Sequence, residues 1–298
     1  DYDVDGISAC ALLFWTLFES GGEVSYYLPH RLLEGYGLSK EGLLEAKKRE
    51  CTVVISVDCG MTALEEALFA KEIGLDLIIT DHHEPKEKIP EAYAVINPKQ
   101  NDYPGGELSG VGVAFKLACG IYQKSGLNPE ELQKHLDLVA LGTSADIVPL
   151  TGENRVLTKL GLEQIEKTEK VGLRKLIINS GLEGKKLGTS QIVFMLAPRI
   201  NAVGRLGDAQ CAISLLTTKD ENQASQWALF LEMENKRRRE IDERTMREAL
   251  EMIDREIDLE QEKIIILAKE NWHPGIVGII AARIAETFYR PTVLLAVD

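Results

Sequence analysis

The sequence predicts an α/β fold in which a parallel-sheet domain is joined by a long helix to a partial second α/β domain. Short β-branched runs alternate with segments of helical periodicity in the first half of the chain, which is typical of a parallel sheet with crossover helices. Residues 220–258 contain neither glycine nor proline and predict one long helix. A strand–helix–strand pattern begins again at residue 263, so we divide the chain into residues 1–218, 219–260 and 261–298.

The first half of the chain predicts one strand–helix–strand unit. An apolar segment at 9–18 predicts a helix after the acidic opening DYDVDG. VVISV at 53–57 and LDLIIT at 75–80 are short and rich in branched side chains, as buried strands are. Residues 61–73 between them have helical periodicity. Four side chains are predicted on one face of that helix: Leu64, Ala67, Leu68 and Ile73.

The later elements are predicted in the same way. Helices are expected near 111–124 and 128–143, and residues 151–200 are mostly helical with a Gly/Lys-rich loop at 179–188. The second domain is expected to contain a strand at 263–268, a turn at His273-Pro274-Gly275, a helix at 276–288 and a strand from 291 to 297. The charges of both signs in the long helix predict a solvated helix with i,i+4 ion pairs that bridges two domains. A basic stripe for a polyanion is the alternative, and the interleaved acids argue against it.

Charge and cysteine content narrow the class of protein. The formal net charge of −13 argues against a nucleic-acid coat protein, although it leaves room for an enzyme with a local basic groove. The five cysteines form no C-x-x-C pair, which is typical of a reducing compartment. No apolar run has the length of a membrane span and no signal peptide is visible. We therefore expect a cytoplasmic protein without a membrane partner. An upstream segment stays open because the chain begins at a charged motif without Met.

Acidic side chains follow the predicted strands directly. Asp58 follows VVISV, and Asp81-His82-His83 follows LDLIIT. Asp3 and Asp5 precede the first helix, and Asp146 closes LVALGTSAD. In open α/β sheets, ligands bind at the carboxyl ends of the strands. The sequence therefore predicts a cluster of carboxylates and imidazole at this edge.

Such a cluster would be costly without a cation. Two unit charges about 4 Å apart repel by roughly 4 kcal/mol at an effective dielectric near 20. Carboxylates with one or two imidazoles suit Mn²⁺ or Mg²⁺, and a shared carboxylate can hold two ions for phosphoester cleavage. An EF-hand is excluded because position 12 of that loop would be Leu12 rather than glutamate. Asp58 as a helix cap and the two histidines as turn residues are the structural alternatives.

Four motifs together carry a family resemblance. DYDVDGISA, SVDCGMTA, TDHHEP and GTSADIVPL resemble motifs I to IV of the DHH phosphoesterase superfamily. PHRLLEGYGL, LSGVGVAFKL, LAPRINAVGRL and NWHPGIVGIIAARI resemble the RecJ family of single-strand-specific 5′→3′ DNA exonucleases within it. The resemblance covers essentially the whole chain. It implies a DHH catalytic domain at 1–218 and the start of a DHHA1-like domain at 261–298.

The resemblance implies roles for particular residues. Asp3 and Asp58 would hold one metal ion, with Asp1 beside it. A second ion would be held by four residues: Asp5, Asp58, His82 and Asp146. Asp58 would bridge the two ions, and His83 would face the scissile phosphate as an electrostatic or acid group.

The resemblance also implies substrate contacts. Arg31 would bind the terminal 5′ phosphate, with a surface ion pair as the alternative. Arg199, Asn201 and Arg205 would contact nucleic acid, since Arg and Asn both donate to phosphate oxygens. A structural, domain-bridging ion pair is the alternative for the two arginines. His273 would lie near an interdomain groove, and a capping histidine is its alternative.

The function implied is hydrolysis of single-stranded DNA from a 5′ end in repair or recombination, with two Mn²⁺ or Mg²⁺ ions and release of 5′-mononucleotides. A single-strand-binding protein and a helicase are possible partners. Two alternatives stay open: a DHH phosphatase or phosphodiesterase for short oligonucleotides or cyclic dinucleotides, and a nuclease-inactive replication scaffold. The family's strand before DYDVDG, its glycine-serine-arginine motif and its OB-type domain are absent from the sequence, so we expect most of the metal site but only part of the DNA clamp.

Overall fold

The structure, a computed structural model, describes residues 1–29, 34–100, 103–104, 106–207 and 209–297. It confirms an α/β fold with parallel sheets. The contacts divide the chain into two compact units, Asp1–Glu232 and Met233–Asp298. The predicted three-part domain division stays a prediction. Within the described residues, no helix is both long enough and apolar enough to cross a membrane.

The first unit is built on a three-stranded parallel sheet. Its strands are β1 (Val53–Val57), β2 (Asp76–Thr80) and β3 (Ala94–Ile96), in that spatial order. The register pairs Val57 with Thr80, and Thr80 with Ile96. All three strands therefore end at one edge. The two strands predicted from VVISV and LDLIIT are confirmed.

Ten α-helices, α1 to α10, lie in the described part of the first unit, and most of them contribute side chains to one apolar core. Their bounds are α1 Val4–Glu19, α2 Lys40–Lys48, α3 Leu64–Glu72, α4 Gly110–Ser125, α5 Leu136–Ala145, α6 Gly152–Ile165, α7 Val171–Asn179, α8 Thr189–Gln191, α9 Ala197–Leu206 and α10 Gln210–Thr217. A π-helical turn, Ile192–Leu196, joins α8 to α9. Most side chains of α1 and α5 are buried, which explains why apolar residues lie all around these helices rather than on one stripe.

Two helices differ from the sequence prediction. The helix expected near 128–143 is a 3₁₀ helix, Pro129–His135, followed by α5. Proline begins the 3₁₀ helix and Asn128 caps it by accepting from Glu130 N. In α3 the buried positions are Ala67 and Ala70. Leu68, which was predicted on the buried face, is exposed.

The long predicted helix is confirmed as α11 (Glu221–Glu256), which runs through the division between the units. In the second unit its charges form the expected short-range pairs, Arg238–Asp242 at 3.3 Å and Arg237–Glu234 at 3.6 Å. Arg283 reaches Asp242 as well, at 2.6 Å. The interleaved acids therefore neutralise much of the basic run.

The second unit continues with β4 (Ile265–Glu270), α12 (Pro274–Phe288) and β5 (Thr292–Val297). The two strands are parallel, as in a crossover unit. His273-Pro274-Gly275 was predicted as a turn, but it forms the start of α12 instead. His273 caps α12 and Pro274 occupies its first turn, because proline at that position lacks only an N–H that would have no helical partner.

Candidate active site

The first acidic motif lies at the start of α1. Asp3 caps this helix, and its Oδ1 accepts from Gly6 N at 3.0 Å. The helix therefore begins at Val4, and Asp5 lies in its first turn. The sequence had placed Asp5 before the helix. The Asp5 carboxylate is buried and accepts from Gly110 N at 2.6 Å and from Val111 N at 2.9 Å. The amino-terminal amides of α4 thus stabilise its negative charge.

The second and third acidic motifs follow β1 and β2, as predicted. Asp58 N donates to Thr80 O at 2.9 Å, so Asp58 still belongs to the sheet. Its φ of 59° lies in the left-handed region, where a non-glycine residue often marks a functional constraint. A Cβ at Gly110 would lie 2.5 Å from Asp58 Oδ1. Glycine at the start of α4 therefore lets this carboxylate fit against the helix.

Four of the predicted side chains converge on one point. His82 Nε2 lies 3.1 Å from Asp58 Oδ1, 3.7 Å from Asp146 Oδ2 and 3.9 Å from Asp5 Oδ2. Within the described chain, Asp58 Oδ1, His82 Nε2 and Asp146 Oδ2 are buried without a hydrogen-bond partner. Buried polar atoms are normally satisfied. Three convergent unsatisfied atoms of this chemistry fit a divalent cation with oxygen and imidazole ligands.

Asp58 also belongs to a second group of acids. Ligand atoms of Asp1, Asp3 and Asp58 lie within 4.8 Å of one another, as do those of Asp58, His82 and His83. Asp58 is therefore the carboxylate common to both sides of the cluster. Asp1 and Asp3 belong to one group and the imidazoles to the other, and a bridging role for Asp58 between two ions stays a prediction.

The protonation of the cluster reflects its burial. Burial, followed by the charge of Asp3, raises the pKa of Asp58 to about 8. Burial and the charge of Asp58 raise the pKa of Asp5 well above its usual value. Burial and the charge of Asp3 raise the pKa of Asp146, although His82 opposes the shift. The protein alone therefore disfavours the fully ionised cluster, and a bound divalent cation would reverse that preference.

Asp81 is a site residue that the sequence interpretation did not assign. Its Oδ1 lies 2.7 Å from His83 Nδ1, and its Oδ2 accepts from Met61 N at 2.9 Å. Although burial opposes the shift, these hydrogen bonds hold the pKa of Asp81 below its usual value. The hydrogen bond to Asp81 raises the pKa of His83. Asp81 therefore fixes the His83 ring and favours its charged form.

A cavity of about 350 Å³ adjoins the cluster. It is lined by His82, His83, Lys99, Glu107, Leu108 and Asp146–Pro149. Ile147 in its wall has a φ of 62° and is 79% exposed. A β-branched residue in this region is strained by about 1–3 kcal/mol. Tyr36 is not part of this lining; partial burial of its hydroxyl and the charge of Asp58 raise the pKa of that hydroxyl.

The predicted substrate contacts receive different placements. Arg31 lies outside the described residues. Arg199 is buried, its Nε donates to Glu232 and its guanidinium also donates to Met195 O. This ion pair is structural but lies within the first unit rather than between two domains, and a contact of Arg199 with nucleic acid stays a prediction. Arg205 lies half-buried in the last turn of α9.

Asn201 and His273 each accept a hydrogen bond from a backbone amide at the start of a helix. Asn201 Oδ1 accepts from Val4 N at 3.1 Å and so supports the start of α1. His273 Nδ1 accepts from Gly275 N at 3.0 Å at the start of α12, which is the capping alternative. Contacts of either residue with nucleic acid stay predictions.

Comparisons with known proteins agree with this geometry. Residues 1–143 match the DHH family, N-terminal domain, the class that this sheet edge and its acid cluster define. The chain is 42% identical over 300 residues to the single-stranded-DNA-specific exonuclease RecJ of Bacillus subtilis. The alignment covers 100% of this chain and 37% of that relative. The chain belongs to the RecJ family of DHH proteins, which confirms the resemblance and the fold class.

Solved structures agree. The crystal structure of an exonuclease RecJ bound to manganese is 38% identical, with a TM-score of 0.90, over 99% of this chain and 74% of that one. RecJ of Thermus thermophilus in complex with Mn²⁺ is 34% identical, with a TM-score of 0.84, over 99% of this chain and 42% of that one. The chain thus spans only part of the length of these relatives.

Proposed function

We propose that this chain is the catalytic part of a metal-dependent exonuclease that hydrolyses single-stranded DNA from a 5′ end and releases 5′-mononucleotides. The observation that carries the proposal is the convergence of unsatisfied Asp58, His82 and Asp146 atoms at the carboxyl edge of the sheet. The RecJ relatives supply the substrate class by their names, and two of them were solved with manganese.

The proposed ligands follow the geometry of the cluster. Asp5, Asp58, His82 and Asp146 would hold one Mn²⁺ or Mg²⁺ ion, and Asp3 and Asp58 a second, with Asp1 beside it. Two such ions would supply Lewis-acid stabilisation of phosphate charge and a nucleophile at neutral pH. Asp58 is the residue on which both sites depend.

His83 acts on the phosphate itself in this proposal. Its Nδ1 is held by Asp81, which leaves Nε2 as the ring atom available to a substrate. The raised pKa of His83 favours the protonated ring. Protonated Nε2 would donate to a phosphate oxygen, where negative charge increases during the reaction. Arg31 would bind the terminal 5′ phosphate, and Arg199, Asn201, Arg205 and His273 stay proposed contacts with the strand.

Two finer points belong to the same proposal. The five cysteines, all within the described residues, form no disulfide, which supports a reducing, cytoplasmic location. A single-strand-binding protein and a helicase would be partners in repair or recombination. The resemblance to RecJ proteins is the support for these two partners.

A strand-polarity assay tests the proposal. The full-length protein would be incubated with Mn²⁺ and a long single strand labelled at either the 5′ or the 3′ end. We expect early release of a labelled mononucleotide from the 5′-labelled strand only, and none with Asp58→Ala. Early release from the 3′ label would contradict the polarity. Cleavage of dinucleotides alone would favour a short-substrate phosphodiesterase, and no cleavage of any substrate would favour a scaffold.

A further inference from the structure

The cavity beside the acid cluster contains a cation that the sequence interpretation did not single out. Lys99 lines it together with His83 and Asp146. Among the described residues that form its lining, Lys99 is the one lysine or arginine. Its Nζ lies 3.2 Å from a Glu84 oxygen, but the Glu84 side chain is 83% exposed. Exposed ion pairs contribute little, so the Lys99 ammonium can exchange this partner for a ligand.

A buried amide fixes Lys99 relative to the catalytic motif. Asn97 is buried at the end of β3. Its Oδ1 accepts from Lys99 N at 2.9 Å, and its Nδ2 donates to His83 O at 2.9 Å. One side chain therefore holds the backbone of both the cavity lysine and the histidine beside the cluster. The backbone of Lys99 is therefore held at a fixed position relative to His83.

Three consecutive residues form an apolar wall of the cavity. Ile147, Val148 and Pro149 follow the proposed ligand Asp146 directly. Ile147 keeps a left-handed backbone conformation and presents most of its side chain to solvent. Strain of this kind is found where a site needs a particular side chain. A cavity lined by both an apolar wall and a cation suits a nucleotide, which carries an anionic phosphate and an apolar ring face.

We propose that this cavity is a nucleotide subsite for the bound strand, in which Lys99 binds one backbone phosphate and Ile147 packs against the attached sugar or base. The inference rests on the proposed function and deepens it by placing one nucleotide of the strand. Lysine acts as a compact point charge on phosphate. The contact would strengthen binding without reading sequence.

The first test measures the charge contact. Lys99→Gln in the full-length protein should raise KM for oligothymidylate about tenfold, with kcat within about twofold, because a contact made equally in the ground and transition states affects KM. The slope of log(kcat/KM) against log[salt] should become shallower by about 0.7, the value for one phosphate contact on a single strand. Lys99→Arg should retain the wild-type slope.

Lys175→Gln is the matched control. Lys175 lies in α7, and its side chain is exposed to about the same extent as that of Lys99. It also pairs with an exposed glutamate, Glu221, at 2.8 Å. Removal of the Lys175 charge should leave KM and the salt slope unchanged. An unchanged slope and KM in Lys99→Gln would overturn the subsite while the wild type still degrades single strands. A wild type that degrades no single strand would instead overturn the proposed function.

The second test locates the phosphate. Substrates would carry one neutral methylphosphonate linkage, placed at successive positions from the 5′ end. Each replacement at a contacted linkage lowers kcat/KM of the wild type. At one linkage, Lys99→Gln should show no further loss, because the mutation and the linkage remove the same contact. Additive losses at every linkage would overturn the assignment of Lys99 to a phosphate.

The third test concerns the apolar wall. Ile147→Gly relieves the left-handed strain, so its Tm should be equal to or higher than that of the wild type. Its KM for oligothymidylate should nevertheless rise severalfold, because the apolar contact is lost. A rise in Tm with an unchanged KM would show that Ile147 does not contact the strand.

Discussion

Two buried aspartates in the first unit show opposite ways to place a carboxylate in a protein interior. Asp137 accepts from Lys170 Nζ at 2.8 and 3.0 Å, from Thr168 Oγ1 at 2.6 Å and from Leu138 N at 2.7 Å. Asp58, by contrast, has an Oδ1 with no hydrogen-bond partner among the described residues. The protein supplies a fixed cation to the first carboxylate and none of comparable quality to the second.

The difference separates an acid with a fixed structural partner from one whose buried oxygen atom has none. Lys170 also donates to Lys134 O at 2.8 Å, so the ammonium beside Asp137 is itself held in place. Both oxygens of Asp137 therefore already accept hydrogen bonds within the protein. The acids around Asp58 instead repel one another and have raised pKa values. In the proposed function, an exchangeable divalent cation would neutralise these acids.

The largest expected effect separates the two aspartates by activity. Asp58→Ala should lower kcat/KM on single-stranded DNA by at least about 10³-fold, because it removes the carboxylate common to both proposed ion sites. Metal-ion stabilisation amounts to several kcal/mol, and each 1.36 kcal/mol is tenfold in rate. Release of 5′-label with Mn²⁺ measures it. Degradation of single strands by Asp58→Ala at a wild-type rate would contradict the assignment.

The next effect separates them by stability. Asp137→Asn should lower the free energy of unfolding by about 3–5 kcal/mol, because it leaves the Lys170 ammonium buried without its counter-ion. For a unit of this size, that corresponds to a Tm lower by about 10 °C, measured by circular dichroism. The double variant Asp137→Asn/Lys170→Met removes both charges and should recover most of the loss. Equal Tm values for the single and double variants would show that the pair is not the cause.

Metal binding should stabilise the cluster in a pH-dependent way. At 100 times its Kd, Mn²⁺ should add about 2.7 kcal/mol, or roughly 5–10 °C in Tm. The pKa of Asp58 is raised from 3.8 to about 8. Its proton therefore contributes stability to the metal-free protein that is complete below about pH 4 and lost as the pH rises through about 8.

The metal-free Tm should consequently fall between pH 5.5 and pH 8, and the gain from Mn²⁺ should be larger at pH 8. Asp58→Asn is the control, since it should abolish most of the gain at both values. A gain that is the same in Asp58→Asn would mean that Mn²⁺ binds elsewhere.

The sequence predicts the convergence of the acid cluster better than the positions of the residues around it. Asp58 and His82 are recognisable because each follows a β-branched run, and the ends of neighbouring parallel strands meet at one edge. The contact between Asp81 and His83 depends on the orientation of the His83 ring, which the sequence does not show. The proposed role of Lys99 depends on its position just after β3, and no sequence motif indicates that position. Leu68 was predicted as buried because helical periodicity identifies a face but does not show what covers it.

The smallest effect concerns how the acidic segment is held. Asn201→Ala removes the acceptor for Val4 N at the start of α1, and loss of a capping contact costs about 1 kcal/mol. We expect a Tm lower by about 2–4 °C and weaker Mn²⁺ binding by titration calorimetry, since Asp3 and Asp5 flank Val4. Asn201→Gln keeps an uncharged amide acceptor and should retain more of the Tm than Asn201→Ala. If Asn201→Ala instead keeps the Tm and the Mn²⁺ affinity but raises KM for single strands, Asn201 contacts the strand, as its motif predicts, and does not support the metal ligands.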